Sequence, residues 1–451
     1  MAARAQAVVI GASVAGLLAA SALSEHYSQV TVYERDTLPA GPEHRRGVPQ
    51  SKQLHALHAR GAQVLSELLP GFTGEMLAAG AVTGDTQRDA HWYLDDYLLK
   101  PASSGLEGIA LSRPALERLI RSRVARLTNV TVNDGTDVAG LVTAGNSVTD
   151  GQVTGVRVRA ARTPGVAEQT VPADLVIDAG GRGSRTPAWL AELGFPVPET
   201  SRVRADVTYV CRSYTRDARQ LGGRFGSLAP PYPARPRGGA VLRQEGDRFV
   251  VLLAGMVGAE PPLDEAGMLA FADSLACPDL ALVMRESTPL DDPVKYTYPE
   301  SVWHHYEMLS AYLGGLLVIG DAFSSFNPVY GQGMTVAALE ALALRGLLGR
   351  TGAAGFERQY FRTAGRLVAE AWETSATSDL RFPEVAGKRR PGAALINAYG
   401  DKYRAAASVD PVLGKTFIRV ANMIDKPAKL LSPGHVLRVF RSAGKAVRAG
   451  S

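Results

Sequence analysis

Short apolar runs separated by a helical stretch open the chain. Residues 7–10 and 30–33 are apolar and of strand length, and the Ala- and Leu-rich segment between them has the composition of a buried helix. This order predicts a β-α-β unit over residues 1–36, in which a helix joins two parallel strands. Two further apolar runs, at residues 173–178 and 316–319, predict buried strands of the same sheet.

A different periodicity marks the middle of the chain. Between residues 200 and 305, polar and apolar positions alternate in several short segments, which predicts antiparallel strands with one covered face. Helical spacing follows over residues 333–380. It continues over residues 390–451, where several prolines interrupt the pattern.

The order of these elements predicts an α/β fold with three parts. A Rossmann-like dinucleotide-binding domain is discontinuous, an antiparallel β-sheet domain covers a substrate cavity, and a helical C-terminal appendix ends the chain. The predicted boundaries are residues 1–75, 105–195 and 306–380 for the first part, 76–104 and 196–305 for the second, and 381–451 for the third.

Composition agrees with a globular protein. The 451 residues are 46% hydrophobic and 21% charged, and no apolar run is long enough to span a bilayer. The N-terminus has no cleavable signal pattern, and the chain has only two cysteines, Cys211 and Cys277. We therefore expect a cytoplasmic protein in which both thiols fill the core.

The net charge of +5 is unevenly distributed. Residues 386–451 contain 13 Lys and Arg against three Asp, a local balance of +10 that leaves −5 for the rest of the chain. Such a basic end suits a peripheral membrane contact, an acidic partner or a solvated helix face, and the sequence leaves these alternatives open. No basic motif interleaved with aromatic residues occurs, so we expect no nucleic acid partner. The sequence does not indicate an oligomeric state.

The turn after the first predicted strand carries a dinucleotide fingerprint. Gly11 permits a tight turn, Ser13 is small enough for the backbone to approach a pyrophosphate, and Gly16 permits close helix–strand packing. Val14 and Ala15 lie in the first helical turn, where free N–H groups favour phosphate. Ser13 replaces the usual middle glycine, so the pattern alone is weak.

Two carboxylates strengthen the dinucleotide interpretation. Glu34, followed by Arg35, ends the second strand about 20 residues after the glycines, where a carboxylate accepts hydrogen bonds from ribose hydroxyls. Asp321 follows the apolar run at residues 316–319, and it can accept hydrogen bonds from sugar or ribityl hydroxyls. We therefore expect a dinucleotide site formed by distant segments of the chain.

A Gly-rich loop leads from Asp321 into a helix that begins at about Met334. The N–H groups around Gly331, Gln332 and Gly333 are predicted to be free and to stabilise negative charge with the helix dipole. An ordinary strand-loop-helix corner is the alternative for this segment alone.

Two candidate sites are weaker. The predicted helix at residues 54–69 places His55 and His58 one turn apart, but no third ligand is present, so we expect no metal. The aromatic residues Trp92 and Tyr93 suit either a substrate pocket or a core cluster.

In this order, the motifs resemble those of single-component (group A) FAD-dependent monooxygenases with the p-hydroxybenzoate hydroxylase fold. The resemblance covers most of residues 6–345 and includes Arg45 and Arg113. The segments RRGVPQ, DAGGRGSRTP and FNPVYGQGM are most similar to those of bacterial polyene epoxidases of polyether biosynthesis.

The resemblance implies FAD as cofactor, NAD(P)H as electron donor and molecular oxygen as co-substrate. It implies that Arg45 approaches the flavin nucleotide, that Arg113 lies beside the ribityl and pyrophosphate region, and that Asp321 binds the ribityl chain. The loop that ends at Met334 is expected along the isoalloxazine ring. Its flavin-facing candidates are Pro328, Gly331, Gln332 and Gly333. No catalytic side chain is assigned, because a flavin C4a-hydroperoxide carries the chemistry.

The expected reaction is epoxidation of an alkene in a hydrophobic natural-product intermediate of polyketide or terpenoid type, free or carrier-bound. The residues that select this substrate are expected in residues 200–305. Related hydroxylases carry an Asp-Gly pair where this chain has Gly180 and Gly181, so the donor stays open between NADPH, NADH and an external flavin reductase.

Other functions stay open. They are hydroxylation of a phenol by the same family, an FAD-dependent reductase, and a non-redox lipid-escort protein. A flavin halogenase is disfavoured because the chain has no Trp-x-Trp pair.

Overall fold

The computed structural model describes residues 4–145, 150–161, 167–350 and 355–448. Its strands are β1 (Arg4–Ile10), β2 (Tyr27–Tyr33), β3 (Ala56–Leu57), β4 (Val82–Asp85), β5 (Ala90–Leu94), β6 (Tyr97–Leu98), β7 (Glu107–Ala110), β8 (Val130–Asn133), β9 (Thr136–Ala144), β10 (Gln152–Ala160), β11 (Gln169–Pro172), β12 (Leu175–Asp178), β13 (Thr200–Val203), β14 (Val207–Thr215), β15 (Gly226–Ala229), β16 (Arg237–Gln244), β17 (Arg248–Gly255), β18 (Val294–Tyr298), β19 (Ser301–His304), β20 (Leu316–Val318) and β21 (Ser324–Ser325).

Its helices are α1 (Val14–Ser24), α2 (Ala59–Leu68), α3 (Phe72–Ala78), α4 (Arg113–Val124), α5 (Thr186–Glu192), α6 (Glu265–Asp273), α7 (Asp279–Glu286), α8 (Gly333–Leu348), α9 (Phe356–Asp379), α10 (Ala393–Ala407), α11 (Pro411–Ala421) and α12 (Pro433–Ser442). Residues 351–354 and 449–451 of the predicted helical stretches lie outside the described residues.

Five parallel strands form the sheet that carries the N-terminal turn. Their order is β20-β12-β1-β2-β8, and each neighbouring pair is parallel. The strands are apolar runs because helices cover the sheet, and α1 packs against α8. The predicted α/β class and the β-α-β opening are confirmed.

A seven-stranded sheet occupies the middle of the chain. Its order is β18-β14-β17-β16-β15-β5-β6, and all its neighbouring pairs except β15 with β5 are antiparallel. Along β17, Phe249, Val251 and Leu253 pack in a core with α6 and α7. Leu252 and Ala254 alternate with them and line a cavity on the other face. The predicted antiparallel sheet is therefore confirmed.

Helices α10, α11 and α12 form the C-terminal part of the described chain. Pro411 and Pro433 occupy the first position of α11 and α12, where a proline costs no helical hydrogen bond. Apolar residues of these helices share a core with Leu94 and Leu99, and Asp95 forms ion pairs with Arg381 and Arg404. These contacts hold the C-terminal helices against the rest of the described chain. The predicted domain boundaries stay a prediction.

The predicted helix at residues 54–69 is wrong at its start. Ala56 and Leu57 form strand β3, which pairs with β7, and α2 begins only at Ala59. His55 therefore precedes the strand and His58 is the N-cap residue, so the two imidazoles do not share a helical face. Pairing with a distant strand outweighs the local helical pattern.

Candidate functional site

The carboxyl ends of four parallel strands meet at one edge of the sheet. Ile10 pairs in register with Tyr33 and with Asp178, and Asp178 pairs with Val318. The residues that follow each strand open onto one cavity of about 1600 Å³. A pocket for one drug-sized ligand has about 300–1,000 Å³. This cavity is large enough for a dinucleotide and a second molecule.

The turn after β1 is tight. Gly11 has a φ of +97° and donates its N–H to the Tyr33 oxygen at 2.7 Å. A Cβ atom on Gly11 would lie 2.6 Å from the Ala179 oxygen, and one on Gly16 would lie 1.9 Å from the Gly11 oxygen. Both positions therefore require glycine. Ser13 is the N-cap residue of α1 and lines the cavity.

Three carboxylates surround the Arg45 guanidinium. Its nitrogens lie 3.1 Å from Glu34, 3.3 Å from Asp36 and 2.6 Å from Glu117. Burial opposes the charge of Arg45, but the three carboxylates outweigh it and raise the pKa of Arg45. Glu34 also accepts the Ala12 N–H at 2.9 Å, so it is fixed at the start of α1.

Arg113 connects this cluster to the fingerprint turn. Its Nη2 donates to the Ser13 hydroxyl at 2.7 Å, and its Nε lies 3.2 Å from Glu117. The residue is buried at the first position of α4, and the Ser112 side chain caps that helix. Arg113 therefore presents positive charge beside the N-terminus of α1.

Asp321 is a carboxylate without a hydrogen-bond donor in the described chain. It follows β20, lines the cavity and lies in a single 3-10 turn. Burial raises the pKa of Asp321, against the opposing charges of Arg113 and Arg182. A carboxylate in such surroundings is suited to accept hydrogen bonds from a bound hydroxyl.

In the loop before α8, one of the N–H groups that were predicted to be free is already hydrogen-bonded. Gly331 has a φ of +65°, and its N–H donates to the Pro328 oxygen at 3.0 Å, so this donor is not free. The N–H groups of Gln332 and Gly333 donate to no acceptor among the described residues. The side-chain oxygen Oε1 of Gln332 is also buried without a partner there. The free donors at this helix start thus begin one residue later than predicted.

His58 holds this loop from the side of α2. A hydrogen bond joins its ring to the Tyr330 carbonyl, and burial lowers the pKa of His58 to about 4. The ring is therefore neutral at pH 7. Its Nδ1 is buried, and no described residue partners it.

Fourteen of the fifteen predicted site residues line the cavity, and Gly16 packs behind them. The fourteen are Gly11, Ser13, Val14, Ala15, Glu34, Arg35, Arg45, Arg113, Asp321, Pro328, Gly331, Gln332, Gly333 and Met334. Their roles toward a cofactor stay predictions.

The other end of the cavity is apolar. The seven-stranded sheet contributes Leu228, Leu242 and Leu252, and the C-terminal helices contribute Tyr403 and Phe417. The wall opposite the sheet thus comes from residues expected to form a separate appendix. The expectation that residues 200–305 select the substrate stays a prediction, and the C-terminal helices also line this end of the cavity.

No protein-family model matches the chain. Protein Rv3254 of Mycobacterium tuberculosis is 33% identical to it over 440 residues, which cover 93% of this chain and 90% of that protein. The chain belongs to the Rv3254 family.

Solved structures with the same fold carry flavin-related names. The flavin-dependent brominase Bmp2 has a TM-score of 0.66 at 14% identity, with 97% of this chain and 98% of that chain covered. A flavoprotein/dehydrogenase from Cytophaga hutchinsonii has a TM-score of 0.66 at 16% identity, with 98% of each chain covered. The p-nitrophenol 4-monooxygenase PnpA from Pseudomonas putida has a TM-score of 0.64 at 16% identity, with 94% of this chain and 99% of that chain covered.

This member of the Rv3254 family therefore has the fold of flavin-dependent monooxygenases and halogenases. The closer similarity to polyene epoxidases stays a prediction. Among the described residues of this family member, no helix combines the length and the apolar character needed to cross a bilayer.

Sequence reasoning missed a buried polar network beside the loop. Asp379, at the end of α9, accepts from the Tyr330 hydroxyl at 2.7 Å and from the Asn327 amide at 2.9 Å. Tyr209 donates to the other atom of that amide, Asn327 Oδ1, at 2.8 Å. Burial raises the pKa of Asp379 to about 7, although both donors oppose the shift. Tyr209, Asn327 and Tyr330 line the cavity, so the network reaches its wall.

A signal for Asp379 was present in the sequence of this Rv3254 family member. Val368, Ala371 and Ser375 are buried at helical spacing, and Asp379 continues that stripe. A carboxylate on the buried face of a helix needs polar partners from elsewhere in the chain. Periodicity thus locates Asp379, but it does not identify Tyr330 and Asn327 as its partners.

Proposed function

We propose that this protein is an FAD-dependent monooxygenase that transfers one oxygen atom to a hydrophobic substrate. The observation that carries the proposal is the single cavity, which joins the dinucleotide-type edge of the parallel sheet to an apolar compartment. The loop from Pro328 to Gly333 lies along its wall. A cofactor bound at one end would therefore share a space with an apolar molecule at the other.

The residues present fit FAD. The start of α1, with Gly11 and Ser13, suits the pyrophosphate, and Glu34 suits the adenosine ribose. Asp321 has no hydrogen-bond donor among the described residues, which suits the ribityl hydroxyls. The Gln332 and Gly333 N–H groups, at the positive end of α8, suit an electron-rich ring edge.

Bound FAD, once reduced, supplies the activation of molecular oxygen. The overall reaction consumes the substrate, O2, NAD(P)H and a proton, and it forms the oxygenated product, water and NAD(P)+. Asp321 and Arg113 bind and orient the cofactor, while the N–H groups at the start of α8 stabilise negative charge on it. The apolar walls exclude water and orient the substrate.

Epoxidation of an alkene in a polyketide or terpenoid intermediate is the preferred reaction. The apolar compartment supports it, because Leu228, Leu242 and Phe417 offer no hydrogen bond to a polar substrate. Epoxidation also needs no side-chain base, since no proton leaves the alkene.

Hydroxylation of a phenol is the second candidate, and the Tyr330–Asp379 hydrogen bond favours it. A phenol proton can pass to the Tyr330 oxygen while the Tyr330 proton passes to Asp379. Asp379→Asn replaces the carboxylate that takes up this proton with an amide that cannot. It should therefore reduce phenol hydroxylation about 100-fold or more and leave epoxidation within a few-fold. Product formation from a phenol and from an alkene by the same variant distinguishes the two candidates.

The purified protein tests the main proposal. We expect a yellow protein with flavin absorbance, substrate-dependent consumption of O2 and NAD(P)H, and a product heavier by one oxygen atom. Polyenes, prenylated aromatics and phenols form the substrate panel, and product mass is the measurement. NADPH, NADH and an added flavin reductase are compared as donors.

Each alternative has its own outcome. A protein that takes up no FAD contradicts the proposal and favours a lipid-escort protein. Donor oxidation with a product that gains hydrogen and no oxygen indicates a reductase. Incorporation of bromide or chloride instead of oxygen indicates a halogenase.

A further inference from the structure

Exposed apolar side chains are concentrated in the C-terminal helices. Of fourteen large apolar side chains that are exposed in the described chain, seven lie between residues 395 and 447. They are Leu395, Ile396, Val412, Leu431, Leu437, Phe440 and Val447. Single exposed apolar residues need no explanation, but a concentration in one short part of the chain indicates an interaction surface.

Two packed helices carry the most exposed members of this set. Leu395 on α10 is 77% exposed, and Leu437 and Phe440, one turn apart on α12, are 60% and 61% exposed. The Lys402 ammonium of α10 lies 5.1 Å from the centre of the Phe440 ring. Leu395 and Lys402 are seven residues apart, so they share one face of α10. We call Leu395, Lys402, Leu437 and Phe440 the outer face.

The charge around the outer face is positive. The three carboxylates of residues 386–448 are all paired: Asp401 with Arg404, Asp410 with Arg438, and Asp425 with Arg419 and Lys429. Six cations in the same stretch have no carboxylate within salt-bridge distance among the described residues, although one of them, Arg389, donates to backbone carbonyls. They are Lys388, Arg389, Lys402, Lys415, Arg441 and Lys445. The unpaired charge in this part of the chain is therefore entirely positive.

The same helices border the cavity. Asn397, Gly400 and Tyr403 line it from α10, while Leu395 lies on a different face of that helix. Ile396 and Leu431 both line the cavity and are 46% and 50% exposed, so they form part of its rim. The outer face thus adjoins an opening with an apolar border.

We propose that α10 and α12 dock on the surface of a lipid bilayer that contains anionic lipids. Leu395, Leu437 and Phe440 enter the headgroup region, and the unpaired cations bind lipid phosphates. Docking brings the cavity rim toward the bilayer, so that an apolar molecule can enter from it. The docking is independent of the proposed oxygenation, whereas substrate entry from the bilayer rests on it.

Co-sedimentation of the full-length, FAD-reconstituted protein with vesicles tests the docking. Vesicles of phosphatidylcholine alone are compared with vesicles that also contain phosphatidylglycerol. We expect binding to the anionic vesicles, little binding to the neutral ones, and release at about 0.5 M NaCl because salt screens the charges. Equal binding to both vesicles, or none to either, overturns the proposal, and so does binding to an acidic protein without binding to vesicles.

Two variants locate the surface. The double variant Leu437→Ser, Phe440→Ser should lose most vesicle binding, while Met308→Ser, a 71% exposed residue outside the C-terminal helices, should keep it. Arg441→Glu should weaken binding about 5-fold or more, the factor that corresponds to about 1 kcal/mol per cation. Arg350→Glu, an exposed arginine after α8, is its control.

The variants change exposed side chains, and unchanged circular dichroism and flavin absorbance verify their folding. Vesicle binding by the double variant equal to that of the unchanged protein contradicts the assignment to α12. The salt and lipid dependence of the unchanged protein tests the docking even if a variant misfolds.

Discussion

Arg45 makes the edge of the parallel sheet electrostatically stable. It separates Glu34, Asp36 and Glu117, whose side chains are all at least nine-tenths buried. Without its positive charge, three carboxylates would repel one another in a site with little water. Breaking a buried ion pair from one side costs about 3–5 kcal/mol, far more than an exposed pair.

Arg45→Met should therefore lower the free energy of unfolding by about 3 kcal/mol or more, even without FAD. Urea unfolding of the apoprotein, followed by tryptophan fluorescence, is the measurement. Arg285→Met removes an arginine that pairs with Asp273 and is 52% exposed, so its unfolding midpoint should stay unchanged. Equal effects of the two variants would contradict this account.

Unlike Arg45, Asp321 should lower the stability of the apoprotein while favouring the binding of FAD. Its half-buried carboxylate has no hydrogen-bond donor in the described chain, and desolvation raises its pKa, so the charge costs folding energy. Asp321→Asn should raise the urea midpoint of the apoprotein and weaken FAD binding about 10-fold or more, since a hydrogen bond to a charged group is lost. Asp292→Asn makes the same change at an exposed position outside the cavity, so it is the matched control and should alter neither quantity.

The sequence predicts these residues unequally. Gly11, Glu34 and Asp321 are recognisable because each follows an apolar strand, and parallel strands bring their carboxyl ends together. Asp36 and Glu117 could not be assigned to Arg45 in advance. Their approach depends on how α4 and the loop after β2 pack, and no local pattern encodes that.

At the scale of elements, α8 carries a buried carboxyl that supports the turn after β20. Glu340 accepts the Gly320 N–H at 2.7 Å, and its other oxygen has no partner among the described residues. Burial raises the pKa of Glu340 from its ordinary value of 4.5 to about 8. Between those values, the folded chain holds a proton that the unfolded chain has released. The free energy of unfolding therefore falls as pH rises through that window.

Glu340→Gln keeps the acceptor for Gly320 and cannot titrate. Urea midpoints measured between about pH 5 and pH 8 should decline less steeply in this variant than in the unchanged protein. Part of the decline should persist, because the pKa of Asp379 is also raised, to about 7. Glu357→Gln, which removes a carboxylate that accepts the Gly315 N–H outside the core, should keep the full decline. Parallel pH profiles for all three proteins would contradict the role of Glu340.

Elements with continuous periodicity were predicted well, and short ones were not. The buried strands of the parallel sheet, α1 and the central antiparallel strands follow from their patterns. Strand β3 has only two residues, and the strand with which it pairs, β7, lies more than 50 residues away in the chain. The N-terminal limit of α2 could not be obtained from local spacing for that reason.

At the scale of the whole molecule, the cavity unites parts of the chain that the sequence separates. The parallel sheet supplies one end, the antiparallel sheet a wall, and α10 and α11 the opposite wall. Asp95 fixes this arrangement, since it pairs with Arg381, which follows α9, and with Arg404 on α10. The C-terminal helices complete the cavity because they pack on Leu94 and Leu99. The local sequence of this basic, proline-rich end does not predict that packing.

If α11 forms a wall of the substrate compartment, its cavity-facing residue should affect substrate binding but not cofactor binding. Phe417 lines the cavity, whereas Val412 on the same helix is 42% exposed and does not. Phe417→Ala should weaken the binding of an apolar substrate or fluorescent apolar probe about 10-fold, because a large contact surface is lost. Its affinity for FAD should stay the same, since the fingerprint turn and Asp321 are unchanged.

Val412→Ala is the matched control, and it should leave both affinities unchanged. Probe fluorescence and flavin absorbance, titrated separately, give the two affinities for each variant. If Phe417→Ala weakens FAD binding as much as probe binding, α11 supports the whole fold and does not specifically form the apolar compartment. If neither affinity changes, Phe417 takes no part in substrate binding and the antiparallel sheet selects the substrate. If Phe417→Ala weakens only the binding of the apolar probe, both the antiparallel sheet and α11 select the substrate. In that case a C-terminal residue acts on the apolar compartment and not on the cofactor end of the cavity.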